Sequence, residues 1–378
     1  MAGIYIHIPY CRKACHYCNF HFSTSLHNMS EMQDALLTEI KLQKSFLKAA
    51  PIDTIYFGGG TPSLLNTQDI SALLDTIIQY HNISEEAEIT LESNPDDITP
   101  LKVSEWKALG INRLSIGVQS FFDKDLKWMN RSHDATQAVQ CIYTAQDVGL
   151  ENLSLDLIFG SETTTMTMWA ANLDKAISLA VPHLSCYGLT IEPNTALAHH
   201  IQSGTKQATS EQLQAEQFVL TTNRLQSAGF AHYEISNYAR ENKYALHNTN
   251  YWRQIPYLGI GPSAHSFDGN YRYWNVAHNP NYIKSLASGL IPHDKELLST
   301  QDRFNEQIMT GLRTMWGCTK SQLSSIVPNW AELLKTELDE LLNQGELMIN
   351  DDTLTLSQSG RLRADSIMSQ LFLTENDL

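Results

Sequence analysis

This sequence lacks the two features that direct a protein into or across a membrane. Its first residues, Met1-Ala-Gly-Ile4, carry no basic segment ahead of an apolar one, so a secretory signal peptide is not indicated. No apolar run approaches the roughly eighteen residues of a membrane-spanning helix. Both absences favour a cytoplasmic protein without a transmembrane segment, although transient contact with a membrane protein is compatible with them.

Basic residues are also scarce, because 26 Lys and Arg stand against 41 Asp and Glu and give a formal net charge of −15. Nonspecific binding to nucleic acid depends on Lys and Arg that neutralise phosphates. We therefore expect no nucleic-acid partner, and the negative charge disfavours an RNA-modifying enzyme. The chain has no internal repeat or low-complexity linker, and its 378 residues suffice for one large α/β domain and a smaller one.

Cysteine is rare, yet three of the six cysteines fall within eight residues, at Cys11, Cys15 and Cys18. The other three are isolated, at Cys141, Cys186 and Cys318, which is typical of a reducing compartment. Closely spaced thiolates suit a soft metal centre such as an iron–sulfur cluster. A four-iron cluster on three cysteines keeps one iron open. Chance clustering, or a zinc site completed by His16 or His21, is the alternative.

Short β-branched runs alternate with helical patterns, which is the signature of βαβ units. The predicted strands are Ile4–Ile8, Thr54–Phe57, Glu88–Glu92, Arg113–Val118, Leu153–Ile158 and His183–Leu189. The predicted helices are Ser30–Leu47, Thr67–Tyr80, Leu101–Leu109, Ala135–Val148 and Thr165–Leu179, with N-caps at Ser30, Thr67 and Thr99 and C-terminal stops at Gly110 and Gly149. Six units predict an α/β fold, a complete or partial barrel whose working face lies at the carboxyl ends of the strands.

Glycine, carboxylate and amide groups follow those strands at the predicted working face. Gly58–Gly60 allows close approach of the backbone to a ligand, and Glu92 and Asp156 can accept hydrogen bonds from hydroxyl or ammonium groups. Gln119 both donates and accepts, and Arg131 can bind a carboxylate. Each residue alone could be an ordinary turn residue. A ligand with an amine, a carboxylate and a ribose, such as S-adenosylmethionine, would satisfy all of them and could occupy the open iron.

The combined motifs resemble the radical S-adenosylmethionine enzymes. More narrowly, Tyr-Ile-His-Ile-Pro-Tyr-Cys, Gly-Gly-Gly-Thr-Pro-Ser, Ser-Ile-Gly-Val-Gln-Ser-Phe and Asn-Leu-Ser-Leu-Asp-Leu-Ile-Phe-Gly resemble the oxygen-independent coproporphyrinogen oxidase group over nearly the whole chain. The resemblance implies a partial (β/α)6 barrel and a [4Fe-4S] cluster on Cys11, Cys15 and Cys18. It also implies S-adenosylmethionine contacts from Tyr5, Gly59, Gly60, Thr61, Glu92, Gln119, Arg131, Asp156 and Gly188.

Phe20 separates two branches of that group. The decarboxylating oxidases carry the pattern C-x-x-x-C-x-x-C-x-C, and in this sequence Phe20 stands at the position of its last cysteine. They also have a long segment before the first strand, whereas only three residues precede Ile4 here. Both departures favour the related heme chaperones of the HemW type over oxidative decarboxylation of coproporphyrinogen III to protoporphyrinogen IX. The oxidase remains the alternative hypothesis.

The segment His247-Asn-Thr-Asn-Tyr251-Trp252 resembles the His-Asn-x-x-Tyr-Trp motif associated with heme binding in those chaperones. A neutral imidazole can ligate heme iron, and aromatic rings can stack on a porphyrin. The resemblance therefore implies His247 as a heme contact, heme as cargo and a heme-accepting protein as partner, for a monomer or homodimer. A hydrogen-bonded histidine with Tyr251 and Trp252 in the core is the alternative, and the pair His199-His200 is interpreted as a solvated loop.

The C-terminal part changes pattern from about Asp302. It is predicted to contain helices at Asp302–Trp316, Lys320–Ile326 and Trp330–Gln344, a hairpin over Leu347–Leu356 and a last helix from Ser359. This predicts a winged-helix-like module. From Ser325 to Leu378, three basic residues stand against ten acidic ones, so a lid or docking role is favoured over DNA binding. The predicted domains are the barrel (1–229), a connecting segment with the His247 motif (230–301) and this C-terminal module (302–378).

Overall fold

A twelve-stranded sheet, six of whose strands form a parallel series, organises the fold of the computed structural model, which describes residues 1–374 and 377. The parallel strands are β1 (Ala2–Ile8), β2 (Ile52–Gly59), β3 (Ile83–Ser93), β4 (Arg113–Gln119), β5 (Leu153–Phe159) and β6 (His183–Gly188). They lie in sequence order, and each pairs in parallel with the next. The predicted α/β fold with a partial (β/α)6 barrel is confirmed.

Helices connect these strands and cover the outer side of the sheet. They are α1 (Met29–Leu42), α2 (Thr67–Tyr80), α3 (Pro100–Ala108), α4 (Asp123–Trp128), α5 (Ala135–Asp147), α6 (Met166–Ser178), α7 (Ala196–Gln202) and α8 (Glu211–Ser227). Ile4, Ile6 and Ile8 of β1 belong to one apolar core with Leu36 and Ile40 of α1. Because side chains alternate along a strand, the residues between those isoleucines face the barrel interior, where polar groups can line a site.

Most predicted ends are close to those observed, and the differences have local causes. Thr99 caps its helix as predicted, since its hydroxyl accepts from the backbone N–H of Lys102. Asn66 rather than Thr67 caps α2, because its side chain accepts from the backbone N–H of Asp69, and α1 begins after Asn28 without a side-chain cap rather than at Ser30. Asn is as good a cap as Ser. The predicted helix to Leu47 already ends at Leu42, and β3 begins five residues before its predicted start.

After α8 the chain extends both ends of the sheet. The elements are β7 (Ala231–Glu234), β8 (Asn237–Ala239), α9 (Leu246–Trp252), β9 (Tyr257–Ile260), β10 (His265–Phe267), β11 (Tyr271–Asn275), α10 (Asn279–Ala287) and β12 (His293–Leu297). Strand β8 pairs antiparallel with β6, and β9 pairs in parallel with the far edge of β1. Residues 231–297 therefore share the sheet of the barrel. The boundary at 229/230 stays a prediction.

Glu39 of α1 ties this late segment to the barrel. Its buried carboxylate accepts hydrogen bonds from the backbone N–H of Gly261 (2.8 Å), from Nδ2 of Asn275 (2.7 Å) and from the hydroxyl of Tyr282. Burial raises the pKa of Glu39 to about 7, although the three donors lower it. A buried carboxylate with three donors fixes α1 against the segment that follows β9.

The C-terminal module has its own core and sheet. Its elements are α11 (Thr300–Leu312), β13 (Cys318–Thr319), α12 (Lys320–Ile326), α13 (Trp330–Leu333), α14 (Lys335–Asn343), β14 (Leu347–Asn350), β15 (Thr353–Leu356), α15 (Gln358–Leu362) and α16 (Ala364–Gln370). The predicted hairpin is confirmed, with Asp351 and Asp352 in its turn. The single helix predicted over Trp330–Gln344 is wrong, because α13 and α14 separate at Leu334. Within the described residues no helix has the length and hydropathy needed to cross a bilayer.

Candidate functional site

A cavity of about 400 Å³ opens at the carboxyl ends of the parallel strands. Of the thirteen candidate residues, eleven line it: Cys11, Cys15, Cys18, Gly59, Gly60, Thr61, Glu92, Gln119, Arg131, Asp156 and Gly188. Two do not, namely Tyr5 and His247. The topology therefore gathers residues from six strand ends into one pocket, as expected for a barrel of this kind.

The loop that carries Cys11, Cys15 and Cys18, here called the cysteine loop, follows β1 and is fixed through its backbone. The N–H of Cys11 donates to the carbonyl of Ser23 (3.0 Å), and Nδ2 of Asn130 donates to the carbonyl of Ala14 (2.7 Å). The backbone N–H of His16 donates to the carbonyl of Met129, and the carbonyl of His16 accepts from the backbone N–H of Leu197. These bonds hold the three thiols on one wall of the cavity before any metal binds.

The environment of the thiols suits metal ligands. The hydroxyl of Thr61 donates to Sγ of Cys11 (3.5 Å), and Nη1 of Arg131 donates to Sγ of Cys15 (3.2 Å). Burial raises the pKa of Cys11, and it raises the pKa of Cys18 to about 11. The thiols of Cys11 and Cys18 are thus protonated at neutral pH until a metal displaces the protons, and the guanidinium of Arg131 can stabilise thiolate charge beside it.

The two histidines that could complete a zinc site point elsewhere. Nδ1 of His16 lies 2.9 Å from the carbonyl of Trp128, Nε2 of His21 lies 2.7 Å from Oδ1 of Asn279, and neither residue lines the cavity. Among residues 1–374, no three His, Cys, Asp or Glu side chains converge tightly enough for a single ion. A cluster places each thiolate on a different iron and so needs a wider spacing. The three thiols fit a cluster better than a lone zinc ion.

The glycine turn after β2 brings backbone close to the cysteine loop. Gly59 has φ +108°, a conformation that L side chains rarely adopt. A Cβ on Gly60 would lie only 2.5 Å from the carbonyl oxygen and 2.8 Å from the nitrogen of Tyr10. Glycine is therefore required here by both backbone conformation and space.

Two carboxylates form the inner wall of the cavity. The hydroxyl of Tyr56 donates to Oε1 of Glu92 (2.8 Å), and the hydroxyl of Ser115 donates to the carboxylate of Asp156 (3.2 and 3.3 Å). Burial, together with the nearby charge of Asp156, raises the pKa of Glu92 to about 7. Burial likewise raises the pKa of Asp156 to about 6. Both groups can therefore accept hydrogen bonds from ligand hydroxyl or ammonium groups near neutral pH.

Several polar atoms on the cavity wall lack protein partners. Oε1 of Gln119, Nε of Arg131 and Oγ of Ser93 are buried without a hydrogen bond among the described residues. The rest of Arg131 is fixed, since its Nη2 donates to Oδ1 of Asn94 (2.6 Å) and to the carbonyl of Gly117 (2.8 Å). Buried polar atoms are normally paired, so these orphans point to a polar ligand in the cavity.

Tyr5 lies beneath the cavity rather than on its wall. Its ring stacks on Tyr56 (centroids 6.1 Å apart), a Cβ on Gly58 would meet its Cε2 at 2.8 Å, and its hydroxyl lies 3.1 Å from Nδ1 of His7. In this conformation the tyrosine supports the residues that hold Glu92. A direct contact with S-adenosylmethionine stays a prediction.

His247 occupies the opposite end of the barrel, in α9. Nδ1 lies 2.8 Å from Oγ1 of Thr54, Nε2 lies 2.7 Å from the hydroxyl of Tyr251, and only 2% of the residue is exposed. Thr54 precedes Gly58 by four residues, which amounts to roughly 13 Å along the strand. In this conformation protein groups occupy both ring nitrogens, and a contact between His247 and heme stays a prediction.

Aromatic residues at the cavity were not among the candidate site residues. Phe20, Phe22, Tyr17 and Tyr187 line the pocket, and Phe20 is 67% exposed. Phe20 was noted only for the cysteine it replaces. Its position within the cysteine run, next to ligands that must face a cavity, is the signal that could have identified it as a wall residue.

Comparison with known proteins agrees with this geometry. The model of the radical SAM superfamily matches residues 5–176, and that of the HemN C-terminal domain matches residues 298–363. The chain is 32% identical to the heme chaperone HemW of Mycobacterium tuberculosis, over 98% of this chain and 94% of that protein. It is 30% identical to the heme chaperone HemW of Bacillus subtilis, over 97% and 98%.

Among solved structures, the chain is similar to coproporphyrinogen III oxidase (HemN) from Escherichia coli, a radical SAM enzyme. The TM-score is 0.85 at 23% identity, over 98% of this chain and 90% of the other. That likeness concerns the fold, and the family follows from the closer sequence relatives. The chain belongs to the HemW family of the radical SAM superfamily.

Proposed function

We propose that this protein is a heme chaperone, which binds heme and transfers it to an acceptor protein from a radical S-adenosylmethionine scaffold. The observation that carries the proposal is Phe20. Its exposed ring lies on the cavity wall, at the position where the oxidases carry a further cysteine. The relatives named heme chaperones, similar over nearly the full chain, support it.

Within this proposal Cys11, Cys15 and Cys18 hold a [4Fe-4S] cluster. Together with S-adenosylmethionine, such a cluster supplies reductive cleavage to a 5′-deoxyadenosyl radical when both are bound. The residues of the chain position the cofactor, because Glu92 and Asp156 accept hydrogen bonds from it and the unpaired oxygen of Gln119 gains a donor. Gly60 keeps the wall free of a side chain where backbone and ligand approach.

Heme is the proposed cargo and a heme-accepting protein the proposed partner, with the cytoplasm as the location and a monomer or homodimer as the working state. His247 is a proposed heme contact only in a conformation where its bonds to Thr54 and Tyr251 open. In the closed state, burial lowers the pKa of His247 to about 3, so the imidazole is neutral and can ligate iron once released.

The proposal is tested by anaerobic reconstitution of the cluster, followed by two assays on the same preparation. Heme titration should give a saturable absorbance change with about one heme per chain. Coproporphyrinogen III with S-adenosylmethionine and a strong reductant should give no porphyrin product. Turnover without heme binding would replace this proposal by the oxidase function, and a Phe20→Cys variant shows whether that residue alone separates the two functions.

A further inference from the structure

One candidate residue, His247, lies away from the cavity wall but against the side chains that hold this wall in place. Its imidazole is inside the barrel, where a Cβ on Gly3 would lie 3.2 Å from its Cε1. The histidine pair noted in the sequence is on the outside, because His199 and His200 lie in α7, not in the predicted loop, and His199 is exposed. The role of His247 is therefore indicated by the groups that surround it inside the barrel.

The imidazole of His247 packs on two tyrosines of the neighbouring strands. Its ring centroid is 5.1 Å from that of Tyr56, with 23° between the ring planes, and 6.2 Å from that of Tyr5, with 27° between the planes. Tyr5 and Tyr56 are partners in the pairing of β1 with β2, and their rings are also stacked. These three rings, here called the aromatic floor, lie between α9 and the inner wall of the cavity.

The aromatic floor reaches the cavity through one hydroxyl. Tyr56 donates from its hydroxyl to Oε1 of Glu92 (2.8 Å), and Glu92 lines the cavity. Space for this bond exists because residue 58 is glycine, since a Cβ on Gly58 would lie 2.9 Å from Cε1 of Tyr56 and 3.2 Å from Oε1 of Glu92. The carboxylate of Glu92 is therefore placed by the ring of Tyr56, and that ring rests on His247.

His247 is itself fixed, so it can serve as a support. Both ring nitrogens have hydroxyl partners, Thr54 and Tyr251, and the backbone N–H donates to Oε1 of Glu88 (3.3 Å). The ring cannot turn without breaking two hydrogen bonds in a buried place, which is costly. Burial lowers the pKa of His247 to about 3, so the neutral ring acts on Glu92 through packing rather than through charge.

We propose that His247 is a positioning residue for S-adenosylmethionine, because it holds Tyr56 where its hydroxyl orients Glu92 toward the cofactor. This deepens the proposed function and rests on its cofactor site. Without the imidazole, the ring of Tyr56 would turn into the space left behind, and Glu92 would lose its donor. The role belongs to the closed conformation of His247, whereas the heme contact proposed for the same residue requires its bonds to Thr54 and Tyr251 to open.

A histidine that only closed the end of the barrel would behave differently. Its loss would lower the stability of the whole protein, and any effect on cofactor binding would be independent of Tyr56. A positioning role instead couples the two residues, so their effects on cofactor affinity are not additive. The coupling between His247 and Tyr56 therefore separates the two roles, whatever the effect on stability.

The test uses the full chain with its cluster reconstituted anaerobically and without heme, titrated with S-adenosylmethionine by isothermal titration calorimetry. His247→Ala should weaken binding by about three- to tenfold, as expected for the loss of an aromatic ring pair. Tyr56→Phe should weaken it by about the same factor, because Glu92 loses its donor. The double variant should bind within about twofold of Tyr56→Phe alone, since His247 acts through that hydroxyl.

His232→Ala is the matched control. His232 is also buried and also stacked on a tyrosine, with its ring centroid 4.2 Å from that of Tyr238. The hydroxyl of Tyr238, however, lies 3.1 Å from Oγ1 of Thr222, and neither His232 nor Tyr238 lines the cavity. His232→Ala should therefore lower the thermal denaturation midpoint as His247→Ala does, but bind S-adenosylmethionine like the wild type.

A milder variant keeps the test decisive if His247→Ala fails to fold or to hold a cluster, which iron and sulfide content per chain reveals. Tyr251→Phe removes the hydroxyl at Nε2 of His247 and leaves the imidazole in place. It should weaken cofactor binding by about two- to threefold, because the support is then held by one bond fewer. Wild-type affinity in Tyr251→Phe would in that case overturn the inference.

The remaining outcomes separate this inference from the proposed function. Wild-type affinity in a cluster-loaded His247→Ala would show that the imidazole does not position the cofactor. Effects of His247→Ala and Tyr56→Phe that multiply in the double variant, or an equal loss of affinity in His232→Ala, would assign His247 a merely structural role. Each of these results overturns the inference and leaves the cofactor site standing. A wild type that holds its cluster and binds no S-adenosylmethionine overturns the cofactor site and the inference together.

Discussion

At the scale of single residues, the cavity holds titratable groups whose protonation depends on what is bound. Glu92 and Asp156 share a buried wall, and desolvation raises the pKa of each toward neutrality. Cys11 and Cys18 are likewise kept protonated by burial. Binding of a cluster or of a cationic amine therefore releases protons, so affinity for both depends on pH.

S-adenosylmethionine affinity should rise as pH increases from 6 to 8 in the cluster-loaded protein. Glu92 has a pKa of about 7 in the free protein, and its ionised form is the one that accepts hydrogen bonds through both oxygens. Glu92→Gln should bind about tenfold more weakly at pH 8, which corresponds to about 1.4 kcal/mol, and lose much of the pH dependence. Isothermal titration calorimetry at three pH values measures this. The exposed Glu151→Gln should behave as wild type, and a pH-independent wild type would contradict the assignment.

Cys18→Ser should abolish cluster assembly, whereas Cys141→Ser should not. Cys18 lines the cavity with the other two loop cysteines, but Cys141 is buried in the apolar core of α5. Serine is a poor ligand for iron in such a cluster. Iron and sulfide analysis after anaerobic reconstitution, with the charge-transfer absorbance, measures the difference. Equal iron in both variants would show that the loop does not hold the cluster.

At the scale of elements, the turn after β2 is the most constrained backbone of the site. Gly60→Ala should lower the thermal denaturation midpoint and weaken S-adenosylmethionine binding, because the new Cβ would clash with the backbone of Tyr10. Overpacking of this kind costs about 1–3 kcal/mol. Gly188→Ala is the steric comparison, since its Cβ would make only ordinary contact with Phe159 at 3.4 Å. Equal midpoints for both variants would argue against the steric account.

The parallel strands were predictable because each is a short β-branched run followed by a helical pattern. The strands after α8 were not, since β7 to β12 are three to five residues long and their register depends on β1 and β6, far away in the chain. The cavity wall was found because parallel strands end together. The position of His247 could not be predicted, because the sequence does not show that α9 closes the other end of the barrel. Phe20 was identified from the sequence only because it replaces a cysteine of the oxidases, and not as a residue of the cavity wall.

At the scale of the whole molecule, the His247 motif connects the barrel to the C-terminal module. The guanidinium of Arg313 lies 5.1 Å from the ring centroid of Trp252, and its Nε lies 3.5 Å from Oε2 of the buried Glu234. The guanidinium of Arg253 in turn lies 4.7 Å from the ring centroid of Trp316. The motif therefore has a structural role between two cores, in addition to the heme contact proposed for it.

Arg313→Ala should lower the thermal denaturation midpoint and increase proteolysis between the two cores. The change removes the cation paired with the buried carboxylate of Glu234 and leaves the charge of Arg361 and the donors of Ser236 and Asn237, so the cost should be on the order of 1 kcal/mol. Arg224→Ala is the control, because its ion pair with Asp174 is exposed at both ends and should contribute less than about 1 kcal/mol. Calorimetry and limited proteolysis measure both effects. Identical behaviour of the two variants would show that Arg313 does not join the cores.

The pairing of β1 with β9 has a consequence for how the protein is made. Gly3 lies opposite Tyr257 in that pairing, so one edge of β1 stays open during synthesis until β9 has been made. Such long-range contacts raise contact order and slow folding, and open strand edges invite aggregation. The cysteine loop is attached directly to this strand. Its final geometry, and with it stable insertion of a cluster, must therefore come late in biosynthesis and not as the cysteines emerge.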